Sequence, residues 1–159
     1  MDDRTRHIQL ITRNLRILFK AVQAHSKTVE TTCGLSSAQL WMLFEISRQP
    51  GVKVSQLAAI LTIHPSTCSN MLDKLEAKGL ICRDRSKKDQ RSVHLIITRA
   101  GTELLASGPR PAQGILSGAL EQLPAEQLDN LHLGLAGLIQ VLQHRDDSAA
   151  LIPLPGTGE

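Results

Sequence analysis

The sequence is poor in aromatic residues and has no long apolar run. Its 159 residues include two Phe, one Trp and no Tyr. Proteins that bind RNA or single-stranded DNA usually stack bases on aromatic rings, so this scarcity argues against both kinds of ligand. No stretch of eighteen apolar residues occurs, so no membrane span and no membrane partner are expected. The polar start, Met1-Asp2-Asp3-Arg4, does not resemble a secretory signal.

Cysteine is also scarce. Cys33, Cys68 and Cys82 form no CxxC motif, and one of the three must stay unpaired. This usage is typical of a protein in the reducing cytoplasm, which is the location we expect. Cys33 is the best candidate for an exposed, redox-active thiol because it directly precedes Gly34, a predicted helix end. Cys68 and Cys82 are expected to be small buried side chains.

Motifs of enzymes and metal sites are missing as well. The sequence contains no GxSxG, no P-loop and no GxGxxG. None of its six histidines forms HExxH or pairs with a cysteine at zinc-finger spacing. We therefore expect no enzymatic activity, no metal and no other cofactor.

Charge is segregated along the chain. Residues 1–99 carry 16 Lys and Arg against 8 Asp and Glu, whereas residues 100–159 carry 2 against 7. A basic front and an acidic back indicate that one part of the molecule faces a polyanion. Chance segregation on solvated faces would give the same pattern, so charge alone does not identify the partner.

Apolar periodicity predicts long helices near both ends of the chain. Apolar positions spaced three and four residues apart run from Ile8 to Val29, with His25 among them, and again from Leu128 to Leu142. One small domain can hardly bury two such stripes, which favours a dimer over packing of the two helices within a monomer. The residues Gly108–Pro111 interrupt a helix that begins near Thr98.

The middle of the chain predicts two helices joined by a tight turn and followed by a β-hairpin. Ser36 and Gln39 form a capping-box pattern at the start of a preceding helix. A short helix is expected at about residues 55–61, and Pro65 is well placed as the first residue of the next helix, which stops at Gly79. Strands are expected at 80–83 and 92–97. This order of elements is that of a winged helix-turn-helix, whose second helix enters the DNA major groove.

The helix that begins at Pro65 has a face of short polar side chains beside the basic hairpin. Hydroxyl and amide groups of this kind bond phosphates or base edges, and asparagine can pair bidentately with adenine. A helix merely exposed to water would also be polar, but that reading does not explain the neighbouring basic hairpin. The candidate DNA contacts are Pro65, Ser66, Thr67, Ser69, Asn70, Lys74, Arg85, Lys87, Lys88, Asp89 and Arg91.

The end of the hairpin resembles the wing signature of the MarR family of bacterial transcription regulators. That signature is Asp-x-Arg-Ser, a strand ending in Leu-Thr, and Gly three residues later. The matching run here is Asp89-Gln90-Arg91-Ser92-Val93-His94-Leu95-Ile96-Ile97-Thr98-Arg99-Ala100-Gly101, with Ile97 where Leu is commonest. Further matches are Gly34-Leu35-Ser36 with Gln39, Leu57-Ala58, and the run from Leu72 to Ile81. The resemblance spans about residues 5–143, and the break at Gly108–Pro111 departs from the family's unbroken helix.

The resemblance implies a mainly α protein with a small β-hairpin wing. Residues 34–98 would form the winged helix-turn-helix lobe, residues 5–33 and 99–144 the helical dimerisation region, and residues 145–159 a flexible tail. The resemblance further implies a homodimer that binds a pseudo-palindromic operator in double-stranded DNA. Arg91 would enter the minor groove, where narrow A·T-rich sequence attracts arginine, and Asp89 would orient it.

The resemblance also implies a small-molecule effector. Members of the family commonly bind small aromatic acids in a crevice between the dimerisation region and the winged lobe. A carboxylate ligand needs a cation and an apolar wall, and the candidates here are His7, Arg13, Arg16 and Trp41. We expect a repressor that an anionic, aromatic effector releases from DNA. The alternatives are a repressor that senses thiol oxidation through Cys33 and a non-specific architectural DNA-binding protein.

Overall fold

The computed structural model describes residues 2–85 and 92–154. The helices are α1 (Asp3–Cys33), α2 (Ser37–Arg48), α3 (Val54–Leu61), α4 (Pro65–Ala77), α5 (Arg99–Ser107), α6 (Ile115–Leu120) and α7 (Ala125–Gln140), the strands are β1 (Val52–Lys53), β2 (Ile81–Arg85) and β3 (Val93–Ile97), and a 3-10 helix covers Asp147–Leu151. Within the described ranges, no helix is both long and apolar enough to cross a membrane. The prediction of a mainly helical protein with a small β-sheet is confirmed.

Helix α1 is longer than the sequence pattern predicted and is only partly covered. The Asp2 carboxylate caps its first turn by accepting the Thr5 N–H at 2.8 Å, and Gly34 ends it in the left-handed conformation with φ 65°. The predicted apolar seam is buried only towards its end, at His25 and Val29. Ile8, in contrast, is 54% exposed, so the described residues of this chain leave the first half of the seam uncovered.

The core lies in the lobe formed by α2, α3, α4 and the sheet. Helix α2 begins at the predicted capping box: Ser36 Oγ accepts the Gln39 N–H at 3.2 Å, and Gln39 Oε1 accepts the Ser36 N–H at 2.9 Å. The two satisfied donors set the direction in which α2 enters the core. Its buried side chains pack with those of the other lobe elements, among them Leu40, Leu43, Ile46, Leu57, Leu61, Leu72, Leu75, Ile81 and Leu95.

A tight turn joins α3 to α4. Helix α3 ends at Thr62, which adopts the left-handed conformation with φ 52°. Ile63 then inserts into the core, and Pro65 begins α4, as predicted. The apolar stripe of α4 is buried at Cys68, where it meets α3, and its opposite side faces outward.

The sheet has three antiparallel strands in the order β1-β3-β2. In the register, Ile81 pairs with Ile97, and Leu95 lies between Arg83 and Val52. The two wing strands are displaced by one or two residues from the predicted bounds. Strand β1 was not predicted, because two residues show no alternation. The wing tip, residues 86–91, lies outside the described residues.

The end of the chain contains more structure than the sequence pattern indicated. Thr98 caps α5 by accepting the Gly101 N–H at 3.1 Å, as predicted, and α5 ends at Ser107 before the Gly108–Pro111 break. Helix α6 was not predicted. None of the residues of α7 is buried. The 3-10 helix lies in the segment expected to be a flexible tail, and it contacts the helix-turn-helix lobe, as described below.

Candidate nucleic-acid interface and crevice

The outward face of α4 displays most of the polar side chains predicted to contact DNA. Pro65, Ser66, Asn70 and Lys74 are exposed, and Thr67 and Ser69 are half-buried. The side chain of His64, at the N-terminal cap, makes no hydrogen bond to the first turn. The positive end of the helix dipole lies at this N-terminus, and the first turn carries the hydroxyls of Ser66 and Thr67. The arrangement favours binding of a phosphate group.

A half-buried arginine joins the wing to α4. Arg83 on β2 donates from Nη1 to Asp73 Oδ1 and to Glu76 Oε2, both at 2.7 Å. Burial lowers the pKa of Arg83, but the hydrogen bonds that Arg83 donates to the two carboxylates have the larger effect and leave its pKa raised. The two acidic side chains of α4 are thus compensated by the wing instead of facing a polyanion as free charges.

The wing carries the remaining predicted contacts. Arg85 is exposed at the end of β2, where it pairs with Val93 of β3. The other four wing residues predicted to contact DNA are Lys87, Lys88, Asp89 and Arg91, and they lie outside the described residues. Their positions in the sequence place them in the connection between β2 and β3.

A crevice of about 400 Å³ lies between the helical region and the lobe. Its walls come from α1, α2, the turn between α3 and α4, the start of α6 and the segment around the 3-10 helix. Trp41 lies in it, as expected of an effector-binding wall, and its indole N–H donates to Glu45 Oε1 at 3.1 Å. The hydroxyls of Ser26 and Ser37, 3.0 Å apart, join α1 to α2 beside the crevice.

His25 also lines the crevice, although sequence reasoning did not select it. The residue is only 8% exposed, and its Nε2 atom is buried with no hydrogen-bond partner among the residues that the structure describes. Burial lowers the pKa of His25. The sequence signal was the appearance of a histidine among the apolar positions of α1.

The structure does not bring the predicted cations together with Trp41. His7 and Arg13 are exposed on α1 and are not among the residues that line the crevice. Arg16 instead lines a more apolar groove of about 660 Å³ between α1, α6 and α7, together with Phe19 and Leu135. The role of these three residues in effector binding stays a prediction.

The three cysteines differ in exposure. Cys33 is half-buried, and burial raises the pKa of its thiol. Cys68 is buried as predicted, with its pKa raised by burial to about 11. The prediction that Cys82 is buried is wrong, because Ile81 takes the inward position of β2 and alternation turns Cys82 outward.

Residues 35–93, which include α2, the helix-turn-helix and strand β2 of the wing, match the model of the MarR family. The chain carries a MarR-family domain. A curated relative is the HTH-type transcriptional repressor MdtR of Bacillus subtilis (strain 168), which is 33% identical over 91 residues, or 57% of this chain and 59% of that protein. The chain thus spans little more than half of the length of this relative.

Solved structures resemble the chain beyond the MarR-family domain. The YusO protein from Bacillus subtilis is 27% identical, covers 89% of this chain and 100% of its own, and superposes with a TM-score of 0.56. Streptococcus pneumoniae FabT, solved in complex with DNA, is 26% identical, covers 84% of this chain and 95% of its own, and also has a TM-score of 0.56. Both likenesses include helices outside the family match, so the terminal helices and the MarR-family domain follow one shared architecture.

Proposed function

We propose that the protein is a transcriptional regulator that binds double-stranded DNA through the helix-turn-helix and wing of its MarR-family domain. The observation that carries the proposal is the outward face of α4, where Ser66, Asn70 and Lys74 are exposed, and beside it Arg85 is exposed at the end of strand β2. Short polar side chains on a helix of this position suit base edges and phosphates in the major groove. The similar FabT structure was solved in complex with DNA, which supports the same use of this fold here.

The wing would supply the sequence-independent part of the affinity. Lys87 and Lys88 suit phosphate contacts, each of which releases counterions and makes binding salt-dependent. Arg91 suits a narrow minor groove, with Asp89 as its orienting partner. These residues belong to the part of the chain whose charge balance is strongly basic.

The apolar residues left exposed on α1 and α7 support a homodimer. Leu15 on α1 and Leu131 and Leu135 on α7 are each about two-fifths exposed and line one continuous apolar groove. Soluble monomers rarely expose an apolar surface of this extent. A second copy of the chain would cover it and would place two α4 helices about 34–36 Å apart, as a palindromic site requires.

The dimer is tested by sedimentation. Leu135→Glu should shift the protein to a monomer at micromolar concentration, because the new charge would be buried in the interface. Asp129→Asn on the same helix should leave the dimer intact. A parent protein that sediments as a monomer would contradict this part of the proposal.

We also propose that the protein is a repressor and that a small molecule bound in the crevice releases it from DNA. The support is a partly enclosed cavity that offers a flat wall at Trp41 and a buried hydrogen-bonding atom at His25 Nε2. Among the described residues that line it there is no lysine or arginine. The crevice therefore suits an aromatic compound with an uncharged hydrogen-bonding group better than the carboxylate that the family resemblance implies.

The decisive experiment selects DNA fragments bound from the parent genome. A regulator should retain a small set of fragments about 10³-fold or more tightly than random DNA, with affinity that falls steeply as salt rises. An architectural DNA-binding protein would show no preferred sequence. If an oxidant releases the selected fragment and Cys33→Ser prevents the release, the thiol-sensing alternative replaces the ligand response.

A further inference from the structure

Residues 146–154, which we call the strap, fold back onto the helix-turn-helix lobe. Its 3-10 helix is capped by Asp146, whose Oδ1 accepts the N–H and the hydroxyl of Ser148 at 3.0 and 2.6 Å. Arg145 pairs with Asp147 at 3.3 Å across the start of the same helix. The strap thus holds a defined shape through its own contacts, although most of it is exposed.

One backbone hydrogen bond joins the strap to the start of α4. The carbonyl of Leu151 accepts the His64 N–H at 3.1 Å. His64 is the N-terminal cap residue of α4, and Thr62, two residues earlier, holds the left-handed conformation that turns the chain from α3 into α4. The strap is therefore attached at the point that orients the helix proposed to read DNA.

The same strap forms one wall of the crevice. Ala149, Ala150, Ile152, Pro153 and Leu154 all line it, together with His25 of α1 and Trp41 of α2. The side chains of Ile152 and Leu154 are still 56% and 62% exposed. The strap is thus docked shallowly, and contacts that a ligand adds to its inner surface can change how firmly it is held.

We propose that the strap is the element that couples the crevice to α4. A molecule in the crevice touches both the strap and the turn before α4. It can shift the position of that turn only if its affinity differs between the state with the strap docked on the lobe and the state with the strap released. Docking of the strap does not depend on the proposed function, whereas the coupling to a bound ligand rests on it.

Hydrogen exchange of the His64 amide, followed by NMR in the full chain, tests docking. Ile152→Asp puts a charge on the crevice side of the strap and should make that amide exchange at least tenfold faster. Gln143→Asp adds the same charge before the strap, at an exposed residue that does not line the crevice, and should leave the rate unchanged. A chain that stops after Arg145 should match Ile152→Asp, and one that stops after Leu154 should match the parent. Equal His64 rates in all four variants and the parent would overturn docking.

The coupling is tested with N-phenyl-1-naphthylamine, a neutral aromatic fluorophore. We expect it to bind the parent chain, to slow His64 exchange at least threefold and to bind Ile152→Asp at least fivefold more weakly. A probe that changes His64 exchange equally in both proteins would overturn the coupling, because the signal would then bypass the strap. A probe that binds neither protein would also overturn it. Selection of genomic fragments is a separate measurement, so failure of DNA binding is recognised independently.

Discussion

Arg83 of β2 and Asp73 of α4 form an ion pair of 2.7 Å that joins the wing to the helix proposed to enter the major groove. The same guanidinium group also binds Glu76 and reaches the Ser69 carbonyl at 3.5 Å. One side chain thus holds three successive turns of α4 against the sheet. The wing and α4 are expected to meet DNA as one rigid unit.

Removal of this arginine should destabilise the lobe. Arg83→Ala leaves two carboxylates without their partner, and hydrogen bonds to charged groups contribute about 1.5–3 kcal/mol each. Because both carboxylates are partly exposed, water can hydrogen-bond to them in place of Arg83 and offset part of the lost free energy. We expect a decrease of about 1–3 kcal/mol in the free energy of unfolding in urea. Arg99→Ala is the control, because its pair with Glu103 is exposed on both sides and should contribute less than about 1 kcal/mol. Equal losses for the two variants would contradict the assignment.

Gly101 should not tolerate a methyl group. A Cβ atom there would lie 2.8 Å from Ile97 Cγ1 and closer still to the carbonyl oxygen of Leu80. Overpacking of this kind typically costs about 1–3 kcal/mol, so Gly101→Ala should lower the free energy of unfolding although alanine favours helices. Ala100→Gly, on the exposed side of α5, should cost only about 0.5–1 kcal/mol. A stabilised Gly101→Ala variant would show that α5 can move away from Leu80 and Ile97.

Asn70 should contribute to sequence preference and Lys74 to general affinity. If Asn70 pairs with a base, Asn70→Ala should cost about 1–3 kcal/mol on the selected genomic fragment and little on random DNA. Lys74→Ala should weaken binding to both, and it should reduce the slope of log affinity against log salt by about 0.9. The affinity of each variant for the selected fragment and for random DNA, measured by titration, separates the two roles. A loss with Asn70→Ala that is equal on the two DNAs would assign Asn70 to the phosphate backbone.

The burial of His25 should make the protein less stable in mild acid. Burial lowers its pKa below the ordinary value of 6.5, so the unfolded chain binds a proton at a higher pH than the folded one. The free energy of unfolding should therefore fall as the pH drops through 6.5, and the fall should level off below the pKa of the folded state. His25→Gln should flatten this dependence. Identical pH profiles for His25→Gln and the parent would contradict the burial effect.

Thiol reactivity should follow exposure and pKa. Cys82 should react first with a thiol reagent because it is exposed. Cys33 should follow, since burial raises the pKa of its thiol and reduces the thiolate fraction. Cys68, with a pKa of about 11, should react only on unfolding. Mass spectrometry of timed reactions gives the order, and early modification of Cys33 would favour the thiol-sensing alternative.

The N-termini of three helices were predicted well because local chemistry determines them. Ser36, Gln39 and Thr98 accept hydrogen bonds from backbone N–H groups within four residues of themselves. Pro65 has no backbone N–H that would need a partner. Such contacts do not depend on the rest of the fold, so they can be read from sequence. The polar face of α4 and the match of residues 35–93 to the MarR family follow from the same local patterns.

Only the tertiary structure decided what lies in the crevice. His25 is buried because α1 packs on α2 beside it, Ala149 and Ile152 line the same cavity from more than a hundred residues away, and β1 exists because Val52 pairs with Leu95. These contacts join segments that are distant in sequence. The local pattern of each segment does not indicate which other segment it packs against. The sequence by itself therefore determined the helix-turn-helix and its polar face, whereas long-range packing determined which side chains surround the cavity and that the strap meets His64.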